Sequence, residues 1–150
     1  MDFTADNKYV KVSFETGMNL LELGYISRLY SDGLDENEYI HYDKNMGFCY
    51  EDNCIIGEDK YTALNFLYSL GWYKDHNWYI TRSINLLNIL LELNVYVQYD
   101  LYTVNEEYVL QLFEKDQCPN DLDANCIWEN NNSDLFMLVT EALCWCREGE

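Results

Sequence analysis

The sequence predicts an α+β fold, a single domain with helices packed on a mainly antiparallel sheet, and three observations carry that expectation. Apolar residues recur at helical spacing in four separate stretches, they alternate with polar residues at a period of two in others, and the two kinds of run follow one another without the regular alternation of a parallel sheet. A chain of 150 residues is long enough for one domain. Such a domain buries roughly two thirds of the surface its unfolded form exposes. A hydrophobic share of 49%, with 14 Tyr and 4 Trp, excludes a disordered acidic tail. No repeat of fixed period, low-complexity tract or linker divides it.

Taken in order, residues 8 to 15 set Val10, Val12 and Phe14 against Tyr9, Lys11 and Ser13, the alternation of a first strand. From Met18 to Tyr30, Leu21, Tyr25 and Leu29 with Leu20 and Ile26 form one helical face, which Ser31-Asp32-Gly33 is placed to end. Tyr39 to Tyr42 and Gly47 to Tyr50 read as a hairpin joined by Asp43-Lys44-Asn45-Met46. A second helix is expected from about Asp59 to Leu70, with Ala63, Leu64, Leu67 and Leu70 inward, Glu58 and Asp59 at its positive end and Gly71 as its stop.

The stretch from Trp78 to Leu101 reads most clearly. Thr81 offers a capping oxygen, Ile84, Leu87, Leu90 and Leu91 recur at helical spacing, Asn94 follows as a left-handed stop, and Val95, Val97, Tyr99 and Leu101 switch to a period of two. Leu86, Ile89 and Leu93 widen the apolar surface of this helix, so it is expected to be a core helix covered on two sides. Asn105-Glu106 then falls in a turn leading to the extended run Tyr108 to Phe113. Residues 114 to 132 are polar, hold the single proline, Pro119, and interrupt structure except at Cys126 to Trp128. From Ser133, the positions Leu135, Leu138, Val139, Ala142, Leu143 and Cys146 make a regular amphipathic helix.

The order Tyr79-Ile80-Thr81-Arg82-Ser83 into an apolar helix, strands at Val95 and Tyr108, and a helix from Ser133 to Cys146 resembles small phage proteins of the ABA-sandwich type. The resemblance spans residues 78 to 146. It implies a phage or mobile-element origin and α+β layering, and it assigns no functional residue.

The outlying property is charge, 27 Asp and Glu against 9 Lys and Arg, a formal net charge of -18. Such a surface repels nucleic acid and anionic membrane and attracts basic proteins through a field that salt weakens. The acidic start, Met1-Asp2-Phe3-Thr4-Ala5-Asp6, and the lack of a long apolar run predict a cytosolic chain, in the host cytosol if phage-encoded, with reduced cysteines. Cys49 and Cys54, Cys118 and Cys126, and Cys144 and Cys146 lack zinc-knuckle spacing, so no metal or cofactor is expected. Asp52, Glu58, Asp59 and Lys60 have the elements of a metal-dependent nuclease, but Glu58-Asp59-Lys60 opens a helix where that chemistry wants a strand, and capping explains the same residues. His41 and His76, each near an acid (Asp43 and Asp75), come with no nucleophile elbow or phosphate loop, so no enzyme is expected.

Charge is concentrated in two segments. Residues 31 to 59 carry Asp32, Asp35, Glu36, Glu38, Asp43, Glu51, Asp52, Glu58 and Asp59 against Lys44 alone; residues 100 to 129 carry Asp100, Glu106, Glu107, Glu114, Asp116, Asp121, Asp123 and Glu129 against Lys115 alone. Carboxylates on a folded scaffold can occupy the Lys and Arg array with which a protein meets phosphates. The first segment also supplies Tyr39, Tyr42 and Tyr50 as aromatic anchors, with Trp128 available from the second. The expectation is therefore an acidic inhibitor that blocks the basic surface of a nucleic-acid-binding host-defence protein, of the anti-CRISPR or anti-restriction kind. Its expected contact comprises the first-segment acids with Tyr39, Tyr42 and Tyr50. It binds a basic protein, probing neither nucleic acid nor membrane directly. The rival expectations are an immunity or antitoxin-like partner of one toxin, and a small-ligand binder or enzyme whose site the sequence does not announce.

Overall fold

The computed structural model describes residues 8–31, 39–50, 54–69 and 78–149. Its described elements are α+β, with every strand pairing antiparallel, as the sequence predicts. The chain divides into two compact units, Met1–Ile84 and Asn85–Glu150.

The first unit contains, in order, β1 (Tyr9–Val12), α1 (Phe14–Leu23), β2 (Tyr30–Ser31), β3 (Ile40–Asp43), β4 (Gly47–Tyr50), β5 (Cys54–Gly57), α2 (Lys60–Ser69) and β6 (Trp78–Thr81). Two three-stranded sheets result, ordered β1-β6-β2 and β3-β4-β5. A bridge from Leu29 to Ile40 joins them, each residue donating its amide to the other's carbonyl, at 2.8 and 3.1 Å.

The helix α1 is displaced from its expected span. Ser13 caps it by accepting from the Thr16 amide at 3.2 Å, so Phe14 belongs to the helix and not to the first strand. It stops at Gly24, whose φ of 82° lets the Gly24 and Tyr25 amides turn back to the Leu21 and Leu20 carbonyls. Tyr25 to Leu29 are thereby released from the helix. Asp32 and Gly33, the expected stop, lie outside the described residues. The hairpin of β3 and β4 forms where expected, while β5 falls in a stretch for which no strand was foreseen. Ala63, Leu64 and Leu67 are the buried row of α2, as predicted; Leu70 and Gly71 lie outside the described residues. Phe14, Met18, Leu20, Leu29, Ile40, Phe48 and Trp78 form much of this unit's core.

The second unit is α3 (Leu86–Tyr96), β7 (Gln98–Val104), β8 (Glu107–Phe113), β9 (Cys126–Asn132) and α4 (Leu135–Glu148). Asn85, not Thr81, caps α3, accepting from the Leu87 amide at 2.7 Å, and Thr81 ends β6 instead. The helix also runs past Asn94 to Tyr96, so β7 begins three residues later than expected, because Val95 and Tyr96 keep helical backbone until the Val97 amide closes on the Leu93 carbonyl.

The expectation that α3 is covered on two sides is overturned. Ile89 and Leu93 are buried, whereas Leu87, Leu91 and Val95, one i, i+4 row on another face, are 61%, 60% and 72% exposed. One packed stripe suffices to hold the helix against α4. The sheet runs β7-β8-β9, with α4 laid across β8 and β9. Asp134 caps α4 through the Met137 amide at 3.2 Å, and Arg147 near its end pairs with Glu92 of α3. Leu110, Leu112, Leu138, Val139, Ala142 and Leu143 are the fully buried centre.

Candidate functional site

The alternation of the β7-β8-β9 sheet gives it two faces of different chemistry. Cross-strand register aligns Tyr99, Leu112 and Trp128 in one row and Leu101, Leu110 and Asn130 in the next. These side chains face the helices: Trp128 lies 6.4 Å from the Trp145 ring of α4, and the Asn130 amide donates to Glu141 at 3.4 Å. The intervening rows must then point away. They are Asp100, Gln111 and Glu129, then Tyr102, Val109 and Asn131, then Val104 and Glu107.

This outer face holds three carboxylates around an exposed tyrosine, Tyr102, and none of its three strands contains Lys or Arg. Two of these acids are held by neutral neighbours. Gln111 donates to Glu129 at 2.7 Å and Asn131 donates to Glu107. The segment's one lysine, Lys115, is occupied elsewhere, its ammonium donating to the Asn94 carbonyl near the end of α3. Strands ~4.8 Å apart set Asp100 and Glu129 roughly 10 Å from each other, and four residues of β8 at ~3.4 Å each put Glu107 roughly 14 Å from Gln111 along the strand. Beside the face, Glu106 sits in the turn to β8, and Glu114, Asp116, Asp121 and Asp123 are exposed in the connection to β9.

The sequence did not single out this face because β9 was expected only at Cys126 to Trp128. The run Glu129-Asn130-Asn131-Asn132 hides its alternation behind uniform polarity, so the third strand and the shared row of Asp100 and Glu129 could not be seen. The acids themselves were visible in the sequence.

Of the twelve residues expected at the contact, Asp32, Asp35, Glu36, Glu38, Glu51 and Asp52 lie outside the described residues. The other six lie on or beside the β3-β4-β5 sheet. Asp43 closes the hairpin turn, its Oδ1 accepting from the Asn45 and Met46 amides at 2.8 and 3.1 Å. Asp59 caps α2, accepting from the Thr62 amide at 2.8 Å and the Thr62 hydroxyl at 3.0 Å, and these bonds hold its carboxyl below the usual carboxylate range. Glu58 is exposed beside it. Gly47, with φ of 86°, packs so closely that a Cβ there would lie 2.6 Å from the Glu58 Cα, which brings Asp43, Glu58 and Asp59 to one end of the β3-β4-β5 sheet. Lys44 shares that end, whereas Lys60 reaches back to Asn19 of α1 at 2.8 Å.

By register Tyr42 and Tyr50 share one face of the β3-β4 hairpin. Tyr42 packs on Phe48 at 4.8 Å, Tyr50 is half-buried on β4, and Tyr39 carries the Arg28 guanidinium over its ring at 4.3 Å and has the His41 ring 5.6 Å away.

Among the described residues no three His, Cys, Asp or Glu side chains converge as a metal site. Cys118, Cys126 and Cys146 are free thiols, and burial pushes Cys146 up to about 11. No helix among the described residues is long and apolar enough to cross a membrane. Comparison with protein-family models, with curated proteins and with solved structures finds no match for this chain.

Proposed function

We propose that this chain is an acidic, phage-type inhibitor that binds the basic surface of a nucleic-acid-binding host-defence protein and blocks it by standing where phosphates would stand. The observation that supports this reading is the outer face of β7-β8-β9: Asp100, Glu107 and Glu129 on a rigid sheet, an exposed Tyr102 among them, and no cation on its strands. A hydrogen-bonded sheet fixes carboxylates at set intervals with little entropy left to lose on binding, which flexible acidic loops do not. Their spacing of roughly 10–14 Å is of the order of the ~12 Å major groove that separates phosphate rows in duplex DNA. The tyrosine supplies apolar area at low conformational cost.

In this reading the inhibitor is stoichiometric, performs no chemistry and needs no cofactor. The acids at the end of the β3-β4-β5 sheet form a second negative surface that speeds encounter. Its partner's surface carries Arg and Lys at phosphate-binding positions.

The test is displacement. A panel of purified RNA-guided and restriction nucleases is loaded with labelled duplex DNA, and anisotropy is followed as the chain is added. The expected result is release of DNA from at least one enzyme near one equivalent, competitive with DNA and weakened by salt. A panel in which no enzyme releases DNA, or one in which the chain binds without competing with it, would overturn the proposal.

A further inference from the structure

We propose that the cleft on the β1-β6-β2 sheet is a binding site for a nucleoside phosphate. This inference does not depend on the reading of the acidic sheet face. The cleft has a volume of about 580 Å³ and is lined chiefly by Tyr9, Tyr25, Arg28, Tyr30, Tyr79 and Thr81. That size falls in the ~300–1,000 Å³ range of small-molecule sites.

Its position follows from register. Tyr9 pairs with Thr81, and Tyr79 pairs with Lys11 on one side and Tyr30 on the other, so these five side chains share one face of the sheet. The opposite face carries Trp78, which packs on Phe14 of α1 with ring centroids 4.3 Å apart. The helix therefore covers the other side. The early stop at Gly24 is what supplies the cleft's rim, since it frees Tyr25 to Arg28 to fold beside the tyrosines.

The chemistry of the lining runs against that of the whole chain. Of nine Lys and Arg in the sequence, Arg28 lines the cleft, Lys11 stands on the same sheet face, and Lys8 and Arg82 meet at its edge, where the Arg82 amide donates to the Lys8 carbonyl at 2.8 Å. Its described lining includes no carboxylate, in a chain with 27 of them. Four tyrosine rings call for a flat partner, because aromatic side chains stack bases irrespective of their identity.

Arg28 is also held for the task. Its guanidinium lies over the Tyr39 ring at 4.3 Å and its Nη1 donates to the Tyr30 hydroxyl at 3.4 Å. A guanidinium fixed by its face donates from its edge, the geometry that matches a phosphate's oxygens. A nucleoside phosphate satisfies both demands, its base against the tyrosines and its phosphates toward Arg28 and Lys11, with the Ser27 and Thr81 hydroxyls beside them.

The experiment is calorimetric titration of the full chain with ADP, GDP, CDP and UDP, with the four nucleosides and inorganic phosphate as controls. At least one diphosphate is expected to saturate at one per chain. Arg28→Ala and Lys11→Ala, both at exposed positions, should each weaken it about tenfold through a lost charge-assisted contact while the far-UV spectrum stays unchanged. Failure of every diphosphate to saturate by roughly 5 mM would overturn the site. So would inorganic phosphate binding as tightly as the nucleotide, or Arg28→Ala leaving the affinity unchanged.

Discussion

Replacing Asp100 by Asn and Glu107 and Glu129 by Gln removes the three charges of the outer sheet face with little cost to its fold. The amides keep the oxygen that accepts from Gln111 and from Asn131, so the cross-strand hydrogen bonds survive. Each carboxylate of the face, Asp100 half-buried and Glu107 and Glu129 exposed, contributes ~0.3–1 kcal/mol against a cation, so the three together amount to roughly 1–3 kcal/mol, or about 5- to 150-fold in affinity. The control is a variant that loses three charges from the helices on the other side of that sheet, Glu92→Gln, Glu141→Gln and Glu148→Gln. Its effect is confined to the long-range field, which is screened beyond ~8 Å at physiological ionic strength. Surface plasmon resonance against the nuclease found by DNA displacement separates the two. The face variant should dissociate faster, whereas the control should change mainly the association rate. Equal losses in both variants would refute the argument, because total charge alone would then account for binding.

Three further outcomes follow from local geometry. Glu106→Gly should raise stability by about 0.5–1 kcal/mol in urea, since Asn105 and Glu106 sit at φ of 51° and 68° in the β7-β8 turn and only glycine takes the second position freely; an unchanged or lower midpoint counts against it. Asp59, whose carboxyl is held low first by the Thr62 amide and then by its hydroxyl, contributes stability that is present above the unfolded-state value and is lost as pH falls through the folded one; Asp59→Asn should flatten that acid limb in pH-dependent urea melts, and an unaltered limb would show that the cap is not its source. Cys146, pushed up to about 11 by burial, should cost stability as pH rises from 9.0 toward that value, and at pH 8 iodoacetamide should label it ~100-fold more slowly than an ordinary thiol, well behind the exposed Cys118 and Cys126, as read by mass spectrometry.

The fold was legible where one signal dominated. The β3-β4 hairpin shows because Asp43-Lys44-Asn45-Met46 leaves few other ways to join its strands, and α4 shows because its apolar row is unbroken from Leu135 to Cys146. Boundaries failed where two signals competed. Leu20, Leu21, Tyr25, Ile26 and Leu29 continue a helical pattern straight through Gly24, and only the geometry at Gly24 reveals that the last three belong to a loop and a bridge. Around α3 the residues that looked like a cap and a stop, Thr81 and Asn94, were each one local choice among several, and Asn85 and Val97 won because their positions match the packed stripe of Ile89 and Leu93.

The two surfaces differ in how sequence could have exposed them, and the difference is physical. The acidic face is assembled from three strands within 35 residues, so its charge is already crowded in the sequence and only the sidedness is missing. The tyrosine cleft joins β1 to β6 across some 70 residues, and Arg28 in its lining lies too far in the sequence from the neighbouring Lys8, Lys11 and Arg82 to register as a basic patch. They are also outvoted: against 27 acids, a net charge of -18 describes the average surface and says nothing of a cleft whose described lining includes no carboxylate. Net charge therefore argues against nucleic-acid duplexes, whose many phosphates must meet the whole field, but not against a single nucleotide that meets only one cleft. A duplex and a mononucleotide should accordingly part company in the same titration, the first repelled at any moderate salt and the second held by Arg28 and Lys11.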